Sequence, residues 1–541
     1  VIRQRVVSTA PEFGVVKIVA LGVFVALAIV SGITLAGPAK SLLAIAGLAL
    51  LIPALVLRDP RAYGLVLLLL SFLVELQIRL TKWLADPWEL FVQFGMPPSG
   101  TVSIDIYVSD VLLFALLAPW IVQLGLRQRQ LYFPKAAYVY VLFLAWALII
   151  SLIEAPSLHL AMFELVRKLL YFLLFLYIAN NVETTTQFRA IILGLCIGLA
   201  VQAAVVIVFF LLGVGVESYV FKGVLENTRT NSSSLGSLTV AEMGSWKDVK
   251  RSSGTFAHPS MAAYYFEYIL PIILASFLAT RRTLYRVLFA VLFFAGLVSL
   301  VLTFSRSGII GFLVGCAVFL PLARWAGLIP QRVFAPIAIG GVALVLIGTP
   351  VLINYLMTRP EALALRFRLL KPAMEAFEKR PLWGGGLNNS TALTEGSRSI
   401  NLLPTGHSEY TSTVVHNYHV IVLLDVGIFG YLLYTGFFLL VCLAAFRQLR
   451  TATPEMKVML VGTISALVGI WVHNLADPFG GHALQAMWWL EAGLVFAVCH
   501  AMAMARSRAA GAADAGRSDR RRPSRPGPRR VLSAASGARA G

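Results

Sequence analysis

The residues best suited to chemistry are two arginines and a histidine from three separate parts of the chain. Arg251 lies in Lys250-Arg251-Ser252-Ser253-Gly254-Thr255-Phe256-Ala257-His258-Pro259-Ser260, Arg306 in Leu302-Thr303-Phe304-Ser305-Arg306-Ser307-Gly308, and His416 in Val415-His416-Asn417-Tyr418-His419. A guanidinium stays charged and offers a planar fork of donors, so two at one place would grip a diphosphate. An imidazole beside them, with an ordinary pKa of about 6.5, would take a proton from a hydroxyl near neutral pH. Taken singly, each also has a plain structural reading: Arg306 snorkelling to headgroups, Arg251 in an ordinary basic loop, His416 capping a helix.

Glu164, Arg167 and Lys168 form a second group inside an apolar run, where ionisable residues are functional candidates by default. Their spacings of three and four place them on one helix face, and an internal Glu164–Arg167 ion pair is the structural alternative. His416 and His419 are three apart, but no third ligand stands at metal-site spacing and no HExxH occurs, so neither metal nor cofactor is expected. Nucleophile elbow, nucleotide loop and haem motifs are missing from the sequence. Glu75, Arg79, Asp105, Asp110, Glu267, Asp425 and Glu491 are further buried or interfacial charges to be met by packing partners.

These residues are carried by a very apolar chain. Of 541 residues 58% are hydrophobic and 13% charged, with mean hydropathy +0.80; a soluble domain is about 25% charged. Apolar runs fall near residues 15–35, 41–57, 63–80, 104–126, 137–155, 161–179, 189–214, 257–279, 284–305, 308–328, 333–352, 418–446, 457–475 and 483–505. Each is about as long as a helix needs to cross a bilayer. The expected fold is therefore all-α, a polytopic transmembrane bundle of about 12–14 spans. A β-barrel would instead show short alternating segments. The four cysteines lie in apolar runs and suggest no disulfide framework.

Lys and Arg gather in alternate connections: Arg58 to Arg61, Arg127 to Lys135, Arg281 to Arg286, Arg447 to Lys457 and the segment from Arg506. The positive-inside rule puts these, and both termini, on the cytoplasmic side. The net charge of +19 thus reports topology rather than nucleic acid. Two long connections, 215–256 and 353–415, fall outside and are where chemistry is expected. In the second, Leu363, Leu365, Phe367, Leu369, Leu370, Met374 and Phe377 alternate with Arg366, Arg368, Lys371, Lys379 and Arg380. That pattern predicts an amphipathic helix, lying at the interface or packed on the rest of the loop. The turn Trp383 to Asn389 that follows marks a tight bend and is a weak phosphate-cradle candidate. Residues 1–505 read as one membrane domain and 506–541 as a disordered basic cytoplasmic tail.

With this topology Arg251, Arg306 and His416 fall at the same outer ends of spans. The order of motifs resembles the O-antigen ligase and polymerase superfamily of bacterial inner membranes. The resembling stretches are Arg251 to Ser260, Phe304 to Gly308, Arg380 to Leu387, His416-Asn417, and Asp425-Val426-Gly427-Ile428-Phe429-Gly430. The resemblance implies a glycosyltransferase working at the periplasmic face on an undecaprenyl-diphosphate-linked glycan, in O-antigen, lipopolysaccharide or exopolysaccharide biosynthesis. It implies His416 as catalytic and Arg251 and Arg306 as diphosphate-binding, with Arg167 matching another inward-facing basic residue; Asn417, Glu164, Lys168 and His419 are supporting candidates on their position in the sequence alone. The acceptor would be lipid A-core, another lipid-linked repeat unit or a protein side chain. Two departures stand out: Asp425 replaces the Glu of many relatives, and the spans outnumber the twelve common among ligases. The alternative from another class is a secondary transporter or flippase of lipid-linked saccharides, against which stands the absence of a convincing internal repeat.

Overall fold

The computed structural model describes residues 59–73, 77–79, 105–212, 251–256, 258–341, 343, 360–395 and 415–520. In chain order these form α1 (Pro60–Ser71), strands β1 (Gln77–Arg79) and β2 (Asp105–Tyr107), α2 (Val108–Gly125), α3 (Lys135–Glu154), α4 (Leu158–Asn181), α5 (Thr185–Leu212), α6 (Pro259–Ala279), α7 (Thr283–Leu302), α8 (Arg306–Trp325), α9 (331–341), α10 (Pro360–Lys379), α11 (Ser390–Glu395), α12 (Tyr418–Gln448), α13 (Pro454–His473) and α14 (His482–Arg520). Among the described residues, nine helices are long and apolar enough to cross a membrane. In lipid, helices satisfy every backbone polar group internally, and the architecture is the all-α polytopic bundle that the hydropathy predicts. The expected spans near 15–35 and 41–57 lie outside the described residues, as do most of the connection 215–256 and the chain beyond 520.

The spans expected over 63–80 and 104–126 are shorter as helices than as apolar runs. Their facing ends are extended instead, pairing antiparallel with Gln77 opposite Tyr107 and Arg79 opposite Asp105. The helical part of the second begins where Asp110 accepts from the Tyr107 N–H at 3.0 Å, closing the first turn.

At the centre, α6 packs against α13, and α13 against α8. The α8–α13 crossing is close because its residues are small: a Cβ on Gly311 would lie 2.9 Å from the Gly469 carbonyl oxygen, and one on Gly315 2.9 Å from that of Ser465. Small residues let helices associate in lipid, where no hydrophobic effect draws them together. The crossing fixes the start of α8, with Arg306, relative to the end of α13.

Helix α12 is broken at Gly427, whose φ is +68°. Trp146 donates to the Val426 carbonyl at 2.9 Å. The turn 381–389 docks into the break, with Gly385 and Gly386 donating to the carbonyls of Leu424 and Asp425. Gly384 must be glycine: its φ is +76°, and a Cβ would lie 2.5 Å from the Gly427 nitrogen. Of the turn's other amides, Gly384 donates to the Arg380 carbonyl at 3.0 Å, Leu387 to the Ser151 hydroxyl at 3.1 Å, and Asn388 and Asn389, with Ser390 at the start of α11, to Asp425 at 2.9, 3.3 and 3.0 Å. Its donors thus brace the α12 break, and the phosphate-cradle reading falls away. The acidic residue of the motif is a backbone acceptor.

The expected amphipathic helix is α10, and of its two expected settings it takes the packed one: Leu369, Ala373 and Ala376 are buried with Val415, Ile421 and Leu424, while Phe367 and Met374 stay exposed. The segment from Arg506 continues α14 as far as Arg520, and the rest of it lies outside the described residues. Its alanines have the highest helix propensity of any residue and extend a helix already nucleated in the bundle.

Candidate functional site

The site is built at the end of the bundle where α6, α8, α12 and α14 begin and α7 and α13 finish. Between α7 and α8 the chain turns in three residues. Thr303 caps α7, Phe304 adopts φ +49°, and Ser305 accepts the Gly308 N–H at 3.3 Å to start α8. Arg306 is therefore the first residue of α8, and the glycine two residues on packs that turn against Ala263 and Glu267 of α6.

Arg251 is zipped onto the same turn. Its Nε donates to the Thr303 carbonyl at 2.9 Å, and the Ser252 N–H to that of Leu302 at 3.2 Å. The next residues are held by the fully buried Gln202, whose Oε1 accepts from the Thr255 hydroxyl at 2.9 Å. The segment ends at His258, which caps α6 by accepting the Ser260 N–H on Nδ1 at 3.2 Å. Burial, and then the charges of Arg251, His416 and Arg366, push the His258 imidazole down to about 3. It is neutral at physiological pH, and the three groups that perturb it share its surroundings.

His416 enters on the chain leading into α12, half-buried. Asn417 caps that helix, its Oδ1 taking the Val420 N–H at 3.2 Å. The Tyr418 N–H donates to the carbonyls of Asn474 and Asp477, at 2.8 and 3.1 Å, so the His416 segment is pinned to the α13–α14 connection. That connection is in turn held by α6. Tyr264 donates to Asn474 Oδ1 at 2.7 Å and stacks on His473, and Glu267 Oε1 lies 2.6 Å from His473 Nδ1. Asp477 is buried; desolvation lifts its carboxyl to about 6, opposed by Arg366, a hydrogen bond from Ser260, and Arg251. Arg251, Arg306 and His416 thus stand at one end of one helix cluster, each on a segment anchored to its neighbours.

Other sequence candidates have different settings. Arg167 is buried, donating from Nη1 to Asp110 Oδ2 at 2.8 Å and from Nη2 to the Asp105 carbonyl. His482 joins this cluster, 2.9 Å from the Ser109 hydroxyl and 3.0 Å from that of Tyr171, with its ring stacked on Tyr107. Arg167 so ties α4 to α2 and α14. The Glu164–Arg167 ion pair does not form: Glu164 pairs with Lys168 at 2.9 Å. Arg167 and Lys168 diverge by about 100° around the helix and meet different neighbours. Lys168 also interacts electrostatically with Tyr418, two residues past His416. His419 is buried, Nε2 2.9 Å from the Trp471 carbonyl and Nδ1 3.2 Å from the Tyr431 hydroxyl, a structural setting. No group of three metal-ligating side chains occurs among the described residues.

Sequence reasoning missed Asp477 and His473 and did not place Arg366 at the site. The available signal was a run of polar residues, His473, Asn474 and Asp477, in a short connection on the same side as His416.

A comparison with curated proteins finds no match. Residues 269–435, from α6 through the first half of α12, match the family model described as O-antigen ligase. With the ordered motifs around it, that match supports placing the chain in the O-antigen ligase and polymerase superfamily, and with it a membrane protein of glycosyl transfer.

Proposed function

We propose that the protein transfers a glycan from an undecaprenyl-diphosphate donor to a sugar hydroxyl at the periplasmic face of the bacterial inner membrane, with both termini cytoplasmic. His416 accepts the proton of the acceptor hydroxyl as its oxygen bonds to the anomeric carbon. The bond from that carbon to the diphosphate oxygen breaks, and the electron pair leaves with the lipid diphosphate. Arg251 and Arg306 stabilise the charge gathering there. The leaving group is a weak base, so the step needs neither a general acid nor a metal to activate it. The observation that carries the reading is the anchoring of Arg251 to the turn that opens into Arg306, with His258 sensing both Arg251 and His416.

The test is transfer by purified protein in detergent, without a membrane gradient, from an undecaprenyl-diphosphate-linked glycan. Transfer that disappears in His416→Ala at unchanged protein level is expected; transfer that survives both His416→Ala and Arg306→Ala overturns the reading. The acceptor we favour is lipid A-core or a second lipid-linked repeat unit. The lipids of a deletion strain separate the two: long chains left on undecaprenyl diphosphate indicate a ligase, and single repeats on lipid A-core indicate a polymerase.

A further inference from the structure

Helix α10 turns one face to the site. Leu369 and Ala373 are buried in the cluster that contains Val415, the residue before His416. At 100° per residue Arg366 projects in nearly the same direction as Leu370 and Ala373, one turn closer to the start of the helix. Arg368 is about 200° away on the opposite face. Burial agrees, for Arg366 is half-buried and Arg368 exposed. The Arg366 charge acts on His258 at the start of α6 and on Asp477 beyond the end of α13, two residues that also feel the Arg251 charge. Asp477 faces both Arg366 and Arg251, so one carboxylate accompanies the two cations.

We propose that Arg366 is a third guanidinium of the pocket, brought by the loop helix α10 to the diphosphate that Arg251 and Arg306 engage from the bundle. This rests on the donor reading above. A glycosyl lipid diphosphate carries a charge of roughly −2, and the departing lipid diphosphate roughly −3, so a third cation favours the departing group most. Its contribution is to bind the second phosphate, which a monophosphate lacks.

The probe is farnesyl diphosphate, with farnesyl monophosphate as comparator, titrated into the full-length protein in detergent. Arg366→Gln should weaken the diphosphate about tenfold or more and the monophosphate far less, while Arg368→Gln stays within about twofold. Equal weakening of both ligands means a purely structural role and overturns the proposal. Unchanged diphosphate affinity in Arg366→Gln, with Arg306→Gln weakened, overturns it and leaves the donor reading standing. Wild-type protein that binds the diphosphate no better than farnesol ends both. Should Arg366→Gln not purify folded, Arg366→Lys decides: a reduced preference for diphosphate over monophosphate is expected, and a preference equal to wild type overturns the proposal.

Discussion

Arg251 Nε lies 2.9 Å from the backbone oxygen of Thr303, a hydrogen bond that, with the Ser252 N–H on the Leu302 carbonyl, fastens the lead-in to α6 to the α7–α8 turn 52 residues away. Lysine has one nitrogen and cannot anchor through one while presenting others. Arg251→Lys should therefore lower glycan transfer by about tenfold or more at unchanged protein level, although the charge is kept. A rate equal to wild type in the detergent assay would show that charge alone suffices.

Arg167 gives the opposite expectation. Its partners are Asp110, the Asp105 carbonyl and His482, all within one buried cluster. Removing one partner of a buried ion pair leaves an uncompensated charge and costs about 3–5 kcal/mol. Arg167→Ala should show a marked loss of folded protein and a lower Tm. Whatever protein remains should bind farnesyl diphosphate as wild type does. Normal stability with lost affinity would return Arg167 to the diphosphate.

Asp425 ties the turn after α10 to the break in α12 through three backbone amides. Each buried donor left without an acceptor costs about 1–3 kcal/mol, so Asp425→Ala should lower Tm strongly. Asp425→Asn retains one acceptor oxygen and should fall between. Thermal unfolding of the three proteins orders them, and an alanine variant as stable as wild type would contradict the bracing role.

The contrast between Arg251 and Arg167 shows what was legible in the sequence. Hydropathy located the nine long apolar helices found among the described residues because lipid permits few alternatives to a helix. The ordered motifs singled out Arg251, Arg306 and His416 because basic residues at those span ends go against the charge bias of the other connections. Nothing in spacing could tell that Arg167 turns to Asp110 while Lys168 takes Glu164, because side chains 100° apart meet neighbours that only packing chooses. Asp425 and the glycine turn were visible as a motif, but their chemistry was not, since an acceptor for backbone amides and an acid look alike in one dimension. Arg366 was read as part of an amphipathic stripe; its significance depends on which face α10 turns to α12.

His258 and Asp477 stand at the same corner and make opposite predictions for pH. The His258 imidazole is pushed down to about 3 from an ordinary 6.5, so the unfolded chain binds the proton more readily. Its contribution to stability is complete above pH 6.5 and is lost as pH falls towards 3. The Asp477 carboxyl is lifted to about 6 from 3.8, so the folded protein binds the proton more readily. Its contribution is complete below pH 3.8 and is lost as pH rises through 6. Tm measured across this range should decline less steeply below pH 6.5 in His258→Gln than in wild type. In Asp477→Asn the decline above pH 4 attributable to the carboxyl should vanish, raising Tm at pH 7 relative to pH 4 when compared with wild type. Parallel pH profiles for all three proteins would mean that neither group titrates differently on folding, and that the crowding of Arg251, His258, Arg366, His416 and Asp477 exerts no electrostatic hold on the site.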